Sequence, residues 1–177
     1  DAARNMPLPF ITKHNQGGKG LSVRRFDSMD SFDTYVDSDG FEEPIDGITL
    51  LQEYVRPRGG FITRVETVGY EFIYAIAADA DRGGFQLCPA DACEIDEFGR
   101  PTEAPSLFSL REGFAHPIVE SYLAFARAYG IEIAGFEFLE SDDGRLLTYD
   151  INTNTNYNPD VEAVAPPLVN GAGDAAV

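Results

Sequence analysis

The chain has 177 residues, 44% of them hydrophobic, and a formal net charge of −17 at neutral pH. That length holds one domain with a sizeable core or two small lobes, and the apolar content excludes a disordered chain. The acidic surplus argues against nucleic acid and anionic membrane as partners, and the longest apolar stretch, around Phe72 to Ala78, is far too short to span a bilayer.

The chain opens Asp1-Ala2-Ala3-Arg4 with no apolar run behind it, so no signal peptide is expected. It lacks an initiator Met and reaches a strand almost at once, which leads us to expect a fragment missing an N-terminal part. In chain order, strands are expected at Phe10–Lys13, Leu21–Phe26, Ile48–Tyr54, Ile62–Thr67, Tyr70–Ala77, Ile131–Leu139 and Leu146–Ile151. Ser28 is placed to cap a short helix from Met29 to Val36. Ile118, Tyr122, Phe125 and Tyr129 recur at helical spacing, so a longer helix is expected over Pro117 to Tyr129, ended by Gly130. Gly59-Gly60 and Asp81–Gly84 read as hairpin turns, Asp91 to Gly113 as a loop, and 170–177 as a disordered tail. The pattern is that of a mixed α and β chain.

Three segments carry chemistry. Of thirteen basic residues eleven are arginine, and the two lysines, Lys13 and Lys19, share one loop with Gln16, Gly17, Gly18 and Gly20, directly after the apolar run Pro9-Phe10-Ile11. A strand feeding a glycine-rich loop can turn backbone N–H groups toward an anion, with lysine as a compact charge. The alternative is a surface hairpin with solvated lysines. The spacing is neither a Walker A loop nor a dinucleotide fingerprint. Second, Thr49-Leu50-Leu51-Gln52-Glu53-Tyr54-Val55 begins as a buried strand and ends in polar residues before Pro57. Such a strand end can offer backbone groups to a flat base and an acid to a ribose, or can be merely exposed.

Third, Gly135 to Asn158 reads as a hairpin turned by Asp143-Gly144 as a two-residue turn, with Asp142 facing Arg145 and Glu137 directly opposite Asp150. Asn152 lies two residues on, on the same face. Facing carboxylates repel, and the apolar neighbours Ile133, Phe136, Phe138 and Leu147 make an uncompensated charge costlier. A magnesium ion between them is the simplest remedy, since it takes one or two protein carboxylates and fills its shell with water and phosphate. Arg64 and Glu66 share a strand face and read as a surface ion pair worth under ~1 kcal/mol. Cys88 and Cys93 are not spaced as a zinc knuckle, and only His14 and His116 could complete four ligands; reduced cytoplasmic thiols are the preferred reading. Asp37-Ser38-Asp39-Gly40 lacks the ligand spacing of an EF-hand.

Lys13 with its glycine loop, then Gln52-Glu53-Tyr54-Val55, then Glu137 and, thirteen residues on, Asp150-Ile151-Asn152, together resemble an ATP-grasp fold over about residues 9 to 160. Ala134-Gly135-Phe136-Glu137 is similar to the Ala-Gly-x-Asp of RimK-type glutamate ligases. The resemblance implies two α+β lobes with largely antiparallel sheets sandwiching the nucleotide: a small lobe over 1–55 and a large lobe over 56–169. It implies that Lys13, Gln16, Gly17, Gly18, Lys19 and Gly20 hold ATP phosphates. Gln52, Glu53, Tyr54 and Val55 would form the adenine hinge. Glu137, Asp150 and Asn152 would bind Mg2+, with Mn2+ as a substitute, and Lys13 and Arg64 would act on the transferring phosphoryl group.

The implied activity is ATP-dependent joining of glutamate or a similar amino acid to a carboxylate acceptor, a small molecule, peptide or protein tail, in a cytoplasmic protein and compatibly with a homo-oligomer. The alternatives are a catalytically incomplete MgATP-binding module and an acidic structural domain. Two departures stand out. Glu137 and Asp150 exchange the family's usual Asp and Glu, and Thr153-Asn154-Thr155-Asn156-Tyr157-Asn158-Pro159 replaces its usual Ser/Thr-Pro-Gly. The latter run is either part of an acceptor site or an Asn-rich turn.

Overall fold

The computed structural model describes residues 2–16, 22–83, 107–155 and 159–165. The chain divides into two units, Asp1–Arg56 and Pro57–Val177, each with its own antiparallel sheet. The first unit holds three strands, β1 (Phe10–His14), β2 (Arg24–Phe26) and β3 (Thr49–Glu53), ordered β2-β1-β3, with helix α1 over Met29–Val36. Ser28 caps α1, its Oγ accepting from the Ser31 N–H at 3.2 Å. Strand alternation turns Phe10 and Thr12 inward, and Phe10, Phe26 and Phe32 meet with ring centroids 5.2 to 5.6 Å apart. Ile11 and Lys13 consequently point to the other face. The second strand is shorter than expected: Ser22 has a φ of 64° that breaks extended geometry, and Leu21 lies outside the described residues.

The second unit holds β4 (Phe61–Val68), β5 (Glu71–Asp79), β6 (Phe108–Leu110), β7 (Ile133–Glu140) and β8 (Leu146–Asn152), ordered β6-β5-β4-β7-β8. Helices α2 (Ala80–Gly83) and α3 (Ile118–Tyr129) lie between strands, and α4 (Pro159–Glu162) follows β8. One face of the sheet packs on α3, where Tyr122 and Ala126 meet Val65, Ala75, Ala134, Phe136 and Phe138. Tyr122 stacks on Phe136 at 4.5 Å, and Gly130 closes the helix. Ile62, Tyr74, Ile76, Ala78 and Phe108 cluster on the opposite face with Val161 of α4. With a helix on one face and that cluster on the other, β4 is buried along most of its length.

Asp91 to Gly113 is not all loop, because Phe108–Leu110 pairs with β5; residues 91–106 lie outside the described residues. Gly59-Gly60 is not a hairpin turn but part of a short 3-10 turn joining strands of different sheets, and Ala80–Gly83 is helical. Tyr70 belongs to the β4–β5 turn, where Gly69 and Tyr70 have φ of 59° and 66°. The hairpin between β7 and β8 also differs. Ser141 rather than Asp142 faces Arg145, donating its N–H to the Arg145 carbonyl at 2.9 Å, so the loop has three residues and not two. Ser141 Oγ fixes this loop by accepting from the Arg145 N–H at 2.9 Å, and Gly144 takes the left-handed φ of 82° that such a loop requires. A β-bulge at Tyr149 then adds one residue to β8, and this second change cancels the first. Glu137 faces Asp150 after all.

Candidate functional site

In the second unit, register places six residues in two rows on one sheet face. Arg64 of β4 faces Glu137 of β7, which faces Asp150 of β8. In the next row Glu66 faces Gly135, which faces Asn152. Gly135 leaves the middle of that row without a side chain, and the Arg64 guanidinium fills the space: a Cβ there would lie 2.8 Å from its Nε and Nη2. From this position Arg64 Nε donates to Glu66 Oε1 at 2.5 Å and Nη1 donates to Glu137 Oε1 at 3.1 Å.

The pair that sequence spacing suggested as a surface ion pair is therefore interior, with Arg64 only 3% and Glu66 only 2% exposed. It is interior because β4 has a hydrogen-bonded neighbour on either side and packed residues on both faces. Breaking a buried pair by removing one partner costs roughly 3–5 kcal/mol, against under ~1 kcal/mol for a surface pair.

Beyond the end of β8, Thr155 ties into the same group. Its hydroxyl donates to both Glu66 carboxylate oxygens at 3.1 Å and accepts from Arg64 Nη2. The bulge brings Tyr149 to Glu137, whose carboxylate accepts its hydroxyl. Burial raises the Glu137 carboxyl above its ordinary range; Arg64 opposes the shift and Asp150 adds to it. Burial, and then the Glu137 charge, raise the Tyr149 hydroxyl well above its ordinary value. Neither Glu66 nor Tyr149 was singled out as functional from the sequence. For Glu66 the available signal was its place on the Arg64 face; for Tyr149 there was none, since a bulge leaves no local sequence mark.

The first unit gathers the other expected residues on its own sheet. Lys13 faces Leu50, and Ile11 faces Gln52, so Lys13 and Gln52 share the sheet face turned away from the Phe10 core. Glu53 pairs with Phe10 and points to the other face. Tyr54 continues the edge, its N–H donating to the Pro9 carbonyl at 3.3 Å while the Arg25 guanidinium covers its ring at 4.3 Å. Val55 is half-buried and Gln16 exposed. Gly17, Gly18, Lys19 and Gly20 lie outside the described residues, as do Cys88, Cys93 and the segment 156–158.

No family model matches the chain, and no curated protein matches its sequence. Solved structures do match its fold. D-alanine–D-alanine ligase from Bacillus anthracis superposes with a TM-score of 0.58 at 16% identity, covering 99% of this chain and 52% of that one. D-cycloserine synthetase DcsG gives 0.56 at 17% identity, covering 89% and 52%. The ATP-grasp ligase PsnB, complexed with minimal precursor, Mg and ADP, gives 0.54 at 17%, covering 85% and 40%. The chain has an ATP-grasp fold. It spans between 40% and 52% of the length of these three structures.

Within this ATP-grasp fold the donor set suits a hard divalent cation. Glu137 and Asp150 supply two carboxylates from facing strands and Asn152 an amide oxygen from the next row. Asn152 Oδ1 already accepts from the Asn154 N–H at 2.9 Å, which fixes its orientation and leaves a lone pair. Among the described residues no group of three or more His, Cys, Asp or Glu could hold a metal alone. Two carboxylates and an amide match a cation that completes its shell with water and phosphate oxygens, as Mg2+ does. Among the described residues no helix is long and apolar enough to cross a membrane.

Proposed function

We propose that this chain acts in an ATP-dependent carboxylate–amine ligase of the RimK type, joining glutamate or a similar amino acid to a carboxylate acceptor. The observation that carries the reading is the two-row array, in which Arg64, Glu137, Asp150 and Asn152 share one face of the second unit's sheet. PsnB, complexed with Mg and ADP, has the same fold and supports the assignment of nucleotide and metal.

In this reading Glu137, Asp150 and Asn152 would hold Mg2+, with Mn2+ as a substitute. The bound ion would screen the negative charge of the ATP phosphates as the phosphoryl group moves. Lys13, Gln16 and the residues 17–20 would bind the phosphates. Gln52, Glu53, Tyr54 and Val55 receive the adenine and ribose. The substrate carboxylate attacks the γ-phosphorus; the bond from that phosphorus to the β–γ bridging oxygen breaks, and ADP leaves with the bond's electron pair. An amine then attacks the acyl-phosphate carbon, inorganic phosphate departs, and the amine loses a proton. Arg64 assists the first step by placing fixed positive charge beside Glu137, without reorganisation.

The test is to trap the acyl phosphate. The chain is incubated with MgATP, a glutamate-terminated peptide as the carboxylate acceptor and hydroxylamine in place of the amine, and hydroxamate and ADP are measured beside the Asp150→Ala variant. The proposal predicts hydroxamate in the wild type and its loss in the variant with the far-UV spectrum unchanged. ADP formation retained by Asp150→Ala would refute the metal role.

A further inference from the structure

The array contains one acid for which the proposed chemistry has no use. Glu66 is almost fully buried, contributes no ligand to the cation, and makes the shorter of the two carboxylate contacts with Arg64. Two carboxylates thus compete for one guanidinium. Glu66 accepts from Nε at 2.5 Å, whereas Glu137 accepts from Nη1 at 3.1 Å. Thr155 holds Glu66 in this role by donating to both of its oxygens, which favours the ionised acceptor. Gly135 keeps the guanidinium between the two acids, since any side chain there would occupy its place.

We infer that Glu66 is a positioning residue, the counter-ion that keeps Arg64 from neutralising Glu137 and so sets the charge the Glu137–Asp150 pair offers a divalent cation. The inference rests on the metal reading above. One positive side chain, Arg64, and three negative ones, Glu66, Glu137 and Asp150, leave the array with two formal negative charges, which match a divalent ion. Without the Glu66 charge, Arg64 is left with Glu137 as its only carboxylate in the array, and one formal negative charge remains. A divalent cation then meets both a weaker field and a competitor for its own ligand.

An ion pair that serves only stability makes a different prediction. It loses stability when Glu66 is changed but leaves the metal affinity of the folded protein unaltered.

The experiment measures Mn2+ binding to the full chain by the loss of the free-ion paramagnetic resonance signal, with circular dichroism confirming that each variant is folded. Glu66→Gln keeps the shape and removes the charge, and is expected to weaken Mn2+ about tenfold. The double variant Glu66→Gln with Arg64→Gln removes the charge pair together and restores two formal negative charges. Its affinity is expected to return to within about threefold of the wild type. Unchanged affinity in Glu66→Gln would overturn the inference while leaving the metal site standing. Weakening that the double variant fails to reverse would also overturn it, in favour of a structural role. Wild-type protein that binds no Mn2+ at millimolar concentration would overturn the metal reading itself, and the inference with it.

Discussion

A single missing side chain organises the candidate site. Because Gly135 has no Cβ, the Arg64 guanidinium can lie over its backbone and reach Glu66 and Glu137 at once. Gly135→Ala puts a methyl group 2.8 Å from two guanidinium nitrogens, so Arg64 must move. The variant is expected to lose about 1–3 kcal/mol of stability in urea unfolding; a loss under ~0.5 kcal/mol would show that the guanidinium is free to rearrange.

Glu66 also predicts a pH dependence. Burial raises its carboxyl above the ordinary 4.5; Arg64 and Thr155 oppose that shift and Glu162 adds to it. A raised folded value means the folded state holds more protons, so stability falls as pH climbs from the unfolded value through the folded one. Glu66→Gln removes this component. The difference in Tm between wild type and variant, followed from about pH 4 to 8, is expected to shift against the wild type as pH rises. Parallel curves would contradict the burial of a titrating carboxyl. The residue types of this site were legible in the sequence, but the burial of Arg64 and Glu66 was not, because two residues of shared face look alike on a surface strand and on an interior one.

At the scale of elements, local pattern and cap chemistry were read most directly. The α1 bounds and the Ser28 cap follow from the sequence, as does the end of α3 at Gly130. The β7–β8 hairpin shows where that reading stops. Its register at Glu137 and Asp150 was foreseen, yet for reasons that cancel: a three-residue loop in place of two, and a bulge at Tyr149. The loop length is decided by Ser141, whose hydroxyl bonds Arg145 N–H and Asp143, a competition between side chain and backbone that turn statistics do not weigh. Gly144→Ala forces a Cβ into a φ of 82° and is expected to cost about 1–2 kcal/mol. With Ser141 and the bulge intact, the facing of Glu137 and Asp150 survives, so nuclear Overhauser contacts across that pair are expected to persist. Loss of those contacts would mean that the loop, rather than the bulge, sets the register.

For the whole molecule, the net charge of −17 opposes an anionic ligand, so the proposed nucleotide site depends on local cations and a metal ion. The order of the three motifs along the chain was legible, and it sufficed to indicate the fold that solved structures share. Substrate identity was not, because the segment after Asn152 departs from the RimK-type pattern and 156–158 lie outside the described residues. The central claim is that the Glu137–Asp150–Asn152 set binds ATP through a divalent cation. Calorimetric titration of ATP into the full chain, with and without Mg2+ and beside Asp150→Ala, tests it directly. The account predicts binding in the wild type only when Mg2+ is present, and at least tenfold weaker binding in the variant, a difference of about 1.4 kcal/mol. Equal binding by both proteins, or binding indifferent to Mg2+, would contradict it.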